Sequence, residues 1–348
     1  MGGVLVTGGA GFIGSHAAEH FALGHNKVVV CDNLSRVETL GKCVGDPLYS
    51  WNYLKERYRN ITLLKLDVTS VKDVKEAFED VDTVVHAAGQ VAVTKSMSDP
   101  RRDFEINAVG TFNILERARL NDCAVIFCST NKVYGENVNA IPIKEEAKRY
   151  VFSDPAYENG IPEDLSIDHA GHSPYGSSKL AADIYVQEYG YTYGLKTGVF
   201  RMSCIAGERQ FGVEDQGWLS WFTIATLTGQ PITIYGDGKQ VRDILYVKDL
   251  VRAFEQFLQS NTRQDVFNIG GGPGNTLSLL ELLEMLRNLT GRQPRLSFGD
   301  WRRADQRVYV SDIRKLRRKL SWKPTTTAQE SVKRMVDWVD QNPALPKK

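Results

Sequence analysis

The chain has 348 residues, 42% of them hydrophobic, with 43 Lys+Arg against 42 Asp+Glu for a formal charge of +1. That length supports about two domains and a core that needs no metal or disulfide staple. The charge balance excludes bulk attraction to nucleic acid or to an anionic membrane, while leaving room for local phosphate-binding arginines.

The opening MGGVLVTGG has no basic leader and no long apolar run, and Val6 stands where a myristoylation pattern needs Ser or Thr, so it reads as folded protein. The five cysteines, Cys31, Cys43, Cys123, Cys128 and Cys204, form no CxxC pair. They read as reduced thiols of a cytoplasmic protein, with neither a disulfide framework nor a metal site expected.

Val4–Thr7 is a short β-branched strand, followed by glycines, an amphipathic stretch at Phe12–Leu23 and an apolar burst at Lys27–Cys31. The first unit is therefore strand, helix, strand. Further strands are expected at Ile61–Leu66, Thr83–His86, Ala124–Cys128 and Lys196–Arg201, with helices at Phe104–Leu120 and Tyr175–Tyr191. Alternating β and α elements with continuously apolar strands predict an α/β fold, a Rossmann-type doubly wound parallel sheet. Two long stretches interrupt the rhythm, 34–60 and 137–174; they read either as lids and binding loops or as decoration and partner surface. Beyond residue 200, helices at Trp218–Leu227, Asp249–Gln259, Leu277–Leu289 and Val332–Val339 and strands at Ile232–Tyr235 and Val266–Ile269 predict a smaller lobe. The expected division is a cofactor domain over 1–200 and a substrate lobe over 201–341, with some segments returning to the first domain.

Gly8-Gly9-Ala10-Gly11-Phe12-Ile13-Gly14 lies between the first strand and helix, the context that makes a glycine motif informative. Gly8, Gly11 and Gly14 permit a tight turn and close approach of backbone to a diphosphate, whose charge meets the helix N-terminus around Phe12 and Ile13. Asp32, 18 residues beyond Gly14, is placed to accept the adenosine ribose hydroxyls. Its charge opposes a 2′-phosphate and favours NAD over NADP, although Arg36 could neutralise such a phosphate. Asp67 follows the third strand and could reach adenine. Small residues at Ala87 and Ala88, before Gly89 and Gln90, allow the cofactor past the fourth strand's end. Asn107 is a polar residue inside a helix that could hold either cofactor or an internal turn.

Thr130 follows the fifth strand. Tyr175 and Lys179, four apart, share one helical face, so the ammonium can sit near both phenol and cofactor. That pairing can stabilise a phenolate able to take a proton from a sugar hydroxyl while nicotinamide accepts hydride, with Thr130 orienting the same hydroxyl.

With these motifs assembled, the chain resembles the extended short-chain dehydrogenase/reductases and, within their nucleotide-sugar epimerase and dehydratase group, the CDP-tyvelose (CDP-paratose) 2-epimerases. The resemblance covers almost the whole chain, from Thr7–Gly14 through Asp32-Asn33-Leu34-Ser35-Arg36 to the segment Arg302–Arg307. The narrower subfamily likeness rests on Ser129–Gly135, Arg209-Gln210-Phe211-Gly212 and Asp215-Gln216-Gly217-Trp218. It implies Thr130, Tyr175 and Lys179 as the catalytic trio, with Asp32, Asn33, Ser35, Arg36, Asp67, Val68 and Asn107 around NAD. On the substrate side it implies Asn131, Arg209 and Trp218, with Arg242 meeting a nucleotide diphosphate, Arg302 as a second arm and Asp305 on a ribose hydroxyl. Guanidinium forks suit phosphate oxygens. A nucleotide-diphosphate sugar, CDP-linked, is the implied substrate, and a homodimer formed through the helices of Phe104 and Tyr175 is the implied assembly.

Sugar 4,6-dehydratases of this group carry an Asp-Glu pair after the catalytic Thr, where this chain has Asn131 and Lys132. Elimination then lacks its proton handlers. Cys204 occupies the place of a sugar-contacting Asn of many 4-epimerases, which counts against simple UDP-galactose chemistry. C2 inversion leads; C4 inversion of a UDP-sugar or UDP-hexuronate, and a noncatalytic NAD or nucleotide-sugar binder, are the alternatives.

Overall fold

The computed structural model describes residues 2–40, 44–342 and 345, so Cys43 lies outside the described residues. The first strand, β1 (Gly3–Thr7), is buried at every position and leads into α1 (Phe12–Leu23). It is followed by β2 (Val28–Asp32), α2 (Arg36–Leu40), α3 (Tyr49–Arg57), β3 (Ile61–Lys65), α4 (Val71–Ala77) and β4 (Val81–His86). Then come α5 (Val93–Ser98), α6 (Pro100–Phe104), a π-helical turn over Glu105–Val109, α7 (Gly110–Asn121) and β5 (Ala124–Thr130). A short hairpin, β6 (Ile143–Glu145) and β7 (Tyr150–Phe152), precedes the long α8 (Ser173–Tyr193) and β8 (Thr197–Met202). The rest of the chain forms β9 (Cys204–Ala206), α9 (Trp218–Thr228), β10 (Ile232–Tyr235), β11 (Val241–Tyr246), α10 (Val247–Gln259) and β12 (Gln264–Ile269). It ends with β13 (Thr276–Ser278), α11 (Leu279–Thr290), β14 (Leu296–Gly299), β15 (Val308–Tyr309), α12 (Arg314–Leu320) and α13 (Ala328–Gln341).

These elements belong to two compact units. The first holds residues up to 133 with 173–201 and 251–267; the second holds 134–172, 202–250 and the chain from 268 on. The hairpin segment thus belongs with the second unit, and 251–267 belongs with the first.

In the first unit seven strands are ordered β12-β8-β5-β4-β1-β2-β3. β1 pairs in parallel with β2 on one side and with β4 on the other, Val4 opposite Val28 and Val6 opposite Val85. β1 is therefore the strand at which the winding reverses, and the crevice beyond its carboxyl end is where such sheets hold ligands. One face packs Leu5, Val84, Ile114, Leu115, Phe127 and Val186 into a common core. The stretch 34–60 contributes α3, whose Tyr53 and Tyr58 hydroxyls donate to Glu19 of α1 at 2.5 and 2.7 Å. α3 therefore packs on α1. The helix expected over Phe104–Leu120 is three pieces: α6, with Pro100 in its first turn and Asp99 accepting from the Arg102 amide, the π turn, and α7, which ends at Asp122 in left-handed conformation.

In the second unit β11 is central. It pairs with β13 antiparallel and with β15 and β9 in parallel, while β10 pairs with β14. The hairpin of the 137–174 stretch is tied down by charge. Lys148 meets Glu284 at 2.8 Å, Arg149 meets Glu281 at 2.5 Å, and Tyr150 packs with Val241 and Val308. The sequence patterning predicts none of β6, β7, β9, β11, β13, β14 and β15.

Candidate active site

The first unit concentrates the glycine turn and the residues Thr130, Tyr175 and Lys179 around the carboxyl ends of β1, β4 and β5. Gly8 has φ +67°, and a Cβ there would stand 2.6 Å from the Ala88 amide nitrogen and 2.8 Å from the Ala87 carbonyl carbon. A Cβ on Gly14 would meet the Gly8 carbonyl oxygen at 2.2 Å. Only glycine permits this turn, in which the Gly11 amide donates to the Gly8 carbonyl at 3.0 Å before α1 starts at Phe12 and Ile13. The N-cap Gly11 of α1 makes no side-chain cap and its first turn carries no acidic residue, a helix end that suits an anion.

Asp32 ends β2 and accepts from the Ala10 amide at 2.9 Å and the Leu34 amide at 2.8 Å. Burial raises its pKa, against those two bonds and the Arg36 charge. Asn33 donates to Asp67 at 2.8 Å and accepts from both the amide and the hydroxyl of Ser35. Burial works to raise the Asp67 pKa, but bonds from Asn33 and Thr69 and the charge of Arg102 hold it below the usual carboxylate value. Val68 is buried against Gly110. An open glycine cradle with a carboxylate at the next strand's end fits an adenine dinucleotide whose ribose is unphosphorylated.

Ala88 donates to Thr7 Oγ1 at 3.2 Å, and Thr7 Oγ1 lies 2.6 Å from His86 Nδ1, whose Nε2 lies 2.9 Å from Thr111 Oγ1. Burial and the nearby Lys179 push His86 down to about 3, so this ring is a neutral spacer. Asn107, on the π turn, accepts from the Gln90 amide at 2.9 Å and donates to Ser178 Oγ at 3.0 Å. Its amide and the Gln90 side chain are thus engaged in an interior network.

On α8, Tyr175 and Lys179 are 8% and 6% exposed. The Tyr175 amide donates to Ser96 Oγ at 3.1 Å. Burial pushes the Tyr175 phenol up to about 12, countered by its hydrogen bond with the Thr130 side chain. Lys179 Nζ donates to the Cys128 carbonyl at 2.8 Å and lies 4.1 Å from the centre of the Phe127 ring. Burial lowers its pKa to about 8. Asn131, after Thr130, is buried, and the Lys132 amide donates to Thr130 Oγ1 at 3.3 Å. α8 is fixed behind the pair by Asp183, which accepts from Ser129 Oγ at 2.6 Å and from Arg201 at 3.0 Å.

Apart from Thr130 and Asn131, which lie in the first unit, the residues expected on the substrate side fall in the second. Arg242 donates to Asp305 at 2.7 Å and to its own neighbour's carbonyl, that of Val241. Arg302 lies 3.0 Å from Asp215 and stacks on Tyr235, 3.9 Å from the ring centre. Arg302, Asp305 and Arg307 line a groove with Ile141, Ile143 and Trp301. Arg209 is buried with φ +63°. Trp218 opens α9 and packs edge-on against Phe222. Burial pushes the Cys204 thiol up to about 12, which leaves it without nucleophile character.

Sequence reasoning missed Asp103, Ser178, Ser96 and His86. The signal was present for two of them: Asp103 is one helical turn before Asn107, and Ser178 adjoins Lys179.

Residues 4–270 match the family model described as NAD dependent epimerase/dehydratase family. The chain is 40% identical to the CDP-paratose 2-epimerase of Salmonella typhi, over 96% of this chain and 98% of that protein. Among solved structures, the UDP-glucose 4-epimerase of Thermotoga maritima with UDP-glucose is similar with a TM-score of 0.80 and 30% identity, over 97% of this chain and 99% of that one. The Thermus thermophilus UDP-glucose 4-epimerase in complex with NAD is similar with a TM-score of 0.79 and 30% identity, over the same 97% and 99%. With the glycine cradle, Asp32 and the α8 pair in place, the chain belongs to the NAD dependent epimerase/dehydratase family and is an NAD-dependent epimerase.

Proposed function

We propose that the protein inverts C2 of a CDP-linked sugar of the paratose and tyvelose type through a transient 2-keto sugar, with Thr130, Tyr175 and Lys179 as its catalytic residues. The observation that carries the chemistry is the buried Tyr175 phenol, on the same helical face as Lys179 and with the Thr130 side chain acting to lower its pKa. What supports C2 and CDP is the 40% identity to a CDP-paratose 2-epimerase over 96% of the chain.

Gly8, Gly11, Phe12, Ile13 and Gly14 would hold the cofactor diphosphate, and Asp32 the ribose, with Asn33, Ser35, Arg36, Asp67, Val68, Ala87, Ala88, Gln90 and Asn107 forming the wall. When bound, NAD supplies a reversible hydride acceptor and a cationic ring, which makes the cycle redox-neutral. Tyr175 takes the C2 hydroxyl proton and returns it after the sugar has exposed its opposite face. Thr130 shares that hydrogen bond, and the Lys179 ammonium favours the phenolate. Asn131 and Lys132 provide no carboxylate pair, so the ketone is reduced again rather than losing water.

In the second unit Arg242, Arg302 and Asp305 would grip the nucleotide diphosphate and ribose, with Arg209 and Trp218 closing on the sugar nucleotide. The Thermotoga maritima structure with UDP-glucose favours, as a second reading, C4 inversion of a UDP-sugar or UDP-hexuronate. Incubating CDP- and UDP-sugars with the protein in deuterated water, followed by product NMR, tests both. C2 inversion of a CDP-sugar with no label at the inverted carbon is expected; inversion only of UDP-sugars at C4 would overturn the C2 reading. Tyr175→Phe should keep the fold and NAD while turnover falls by roughly 10²-fold or more.

The working assembly is a homodimer. Phe104, Phe112, Ile184 and Tyr185 are all at least 41% exposed on α6, α7 and α8, and such a face is stabilised by an isologous partner. Burial pushes the thiols of Cys31 and Cys128 up to about 12, which keeps them protonated.

A further inference from the structure

We infer that Asp103 is a positioning residue for the reacting pair: its carboxylate braces the first turn of α8 through Ser178 and Asn107, and places a fixed negative charge beside Tyr175 and Lys179. The inference rests on the reading of that pair given above.

Asp103 is 1% exposed. It sits on α6, just before the π turn, and a π turn of this kind re-aims the side chains around it. Its Oδ2 accepts from Ser178 Oγ at 2.5 Å; its Oδ1 accepts from Gln90 Nε2 at 2.7 Å and from Asn107 Nδ2 at 3.2 Å. Ser178 Oγ accepts from Asn107 Nδ2 at 3.0 Å, which leaves its own proton for Asp103 or, at 3.1 Å, for the Tyr175 carbonyl. Three donors converge on the two oxygens; with the nearby Lys179 charge they favour the ionised carboxylate against burial, which raises the Asp103 pKa. A buried carboxylate with no basic side chain bonded to it is costly unless such donors are complete. Here they come from the β4 edge, the π turn and the catalytic helix, so one charge holds all three elements.

Asp183 shares its effect on Lys179, whereas on Tyr175 Asp103 is the carboxylate that acts. On α8 itself Asp183 is taken by Arg201 of β8 and Ser129 of β5. From β4, His86 is held neutral; from β5, the Cys128 thiol is pushed up to about 12 by burial. Arg102 of α6 lies 3.9 Å from Asp67, and Glu105 of the π turn lies 3.9 Å from Arg101. α5 presents the Ser96 hydroxyl to the Tyr175 amide and carries Lys95. Asp103 raises the pKa of both members of the pair. With Asp183 it partly offsets the burial that lowers the Lys179 pKa, and it adds to the burial that already raises that of Tyr175.

The test compares wild type with Asp103→Asn, Asp103→Ser, Asp103→Glu and Ser178→Ala. The Lys179 titration midpoint is read by NMR of isotope-labelled lysine and assigned with Lys179→Ala; turnover and its pH profile are read alongside. Removing the charge should move the Lys179 midpoint and the limbs of the pH profile down by roughly one pH unit. Turnover should fall roughly ten- to a hundredfold. Asp103→Glu and Ser178→Ala keep the charge and should leave the midpoint near its wild-type position. An unmoved midpoint in folded Asp103→Asn or Asp103→Ser overturns the inference. So does failure of the Asn, Ser and Glu variants alike to fold, which would assign Asp103 to the fold alone. Normal reduction of NAD by bound substrate in Tyr175→Phe would instead overturn the reading of the pair, whatever Asp103 does.

Discussion

Lys179 donates its ammonium proton to the carbonyl of Cys128 at 2.8 Å, tying α8 to the end of β5 through one bond. The same burial that makes this bond firm lowers the lysine pKa to about 8 from an ordinary value of 10.5. Between those values the unfolded chain binds more protons than the fold, so this group makes stability rise with pH across that window. At pH 7 the full cost of burying the ammonium is present; above the ordinary lysine value it is gone. Lys179→Met should therefore gain most over wild type near neutrality, with the gap narrowing as pH rises through the window. Denaturant titrations at a series of pH values check this, and a gap that is constant with pH would contradict it.

The Gly8 backbone at φ +67° and its closeness to Ala88 make a second prediction. Gly8→Ala meets both the left-handed penalty of about 1–2 kcal/mol and a backbone contact that a methyl group cannot share. The strand end at Ala87 and Ala88 must then shift, opening the turn that a diphosphate needs. Purified Gly8→Ala should carry much less NAD than wild type after denaturation and release, along with a lower melting temperature. A variant holding a full complement of NAD would show that the turn is not the diphosphate cradle.

The apolar face of α7 and α8 gives a third. Phe112 and Tyr185 pack edge-on with ring centres 5.8 Å apart, and both remain exposed. A Phe112→Glu, Tyr185→Lys double variant touches neither the glycine turn nor Tyr175. Light scattering should find wild type at twice the 39.0 kDa chain mass and the variant at the chain mass. A wild-type protein that stays at the chain mass over a wide concentration range would rule the dimer out.

The sheet was legible because its strands are continuous apolar runs, such as Val28–Val30, that alternate with longer helical stretches. The glycine turn was legible because its chemistry is local: seven consecutive residues make the whole cradle. The α8 pair was legible from its four-residue spacing. What escaped was long-range. Asp103 reads as one charge among the neighbours Arg101, Arg102 and Glu105, and nothing in that run shows that it alone turns inward to Ser178 and Gln90. The strands around β11 escaped for a related reason, since pieces of two or three residues are defined by their partners rather than by their own pattern. The 137–174 stretch has little periodicity, yet its Arg149 finds Glu281 across 132 positions of sequence.

The pairing of Arg242 with Asp305 at 2.7 Å separates two roles that the sequence alone leaves merged. Arg242 is 12% exposed at its side chain and Asp305 23%, so the pair is partly desolvated and its guanidinium retains donors for a further anion. As a diphosphate anchor, Arg242→Ala should weaken sugar-nucleotide binding by calorimetry while substrate at high concentration still reduces bound NAD in a single turnover. As a structural ion pair alone, the same variant should lose thermal stability without substrate, because Asp305 is left without its partner, and the affinity loss should be matched by Asp305→Asn. The double variant Arg242→Ala, Asp305→Asn distinguishes them. Removing both charges restores neutrality at the site, so a purely structural pair should recover most of its stability and binding, whereas an anchor should stay weak toward the diphosphate. We expect the weak outcome, with nucleoside diphosphate affinity remaining low in the double variant and melting temperature near wild type. Wild-type affinity in Arg242→Ala would remove the anchor from the site.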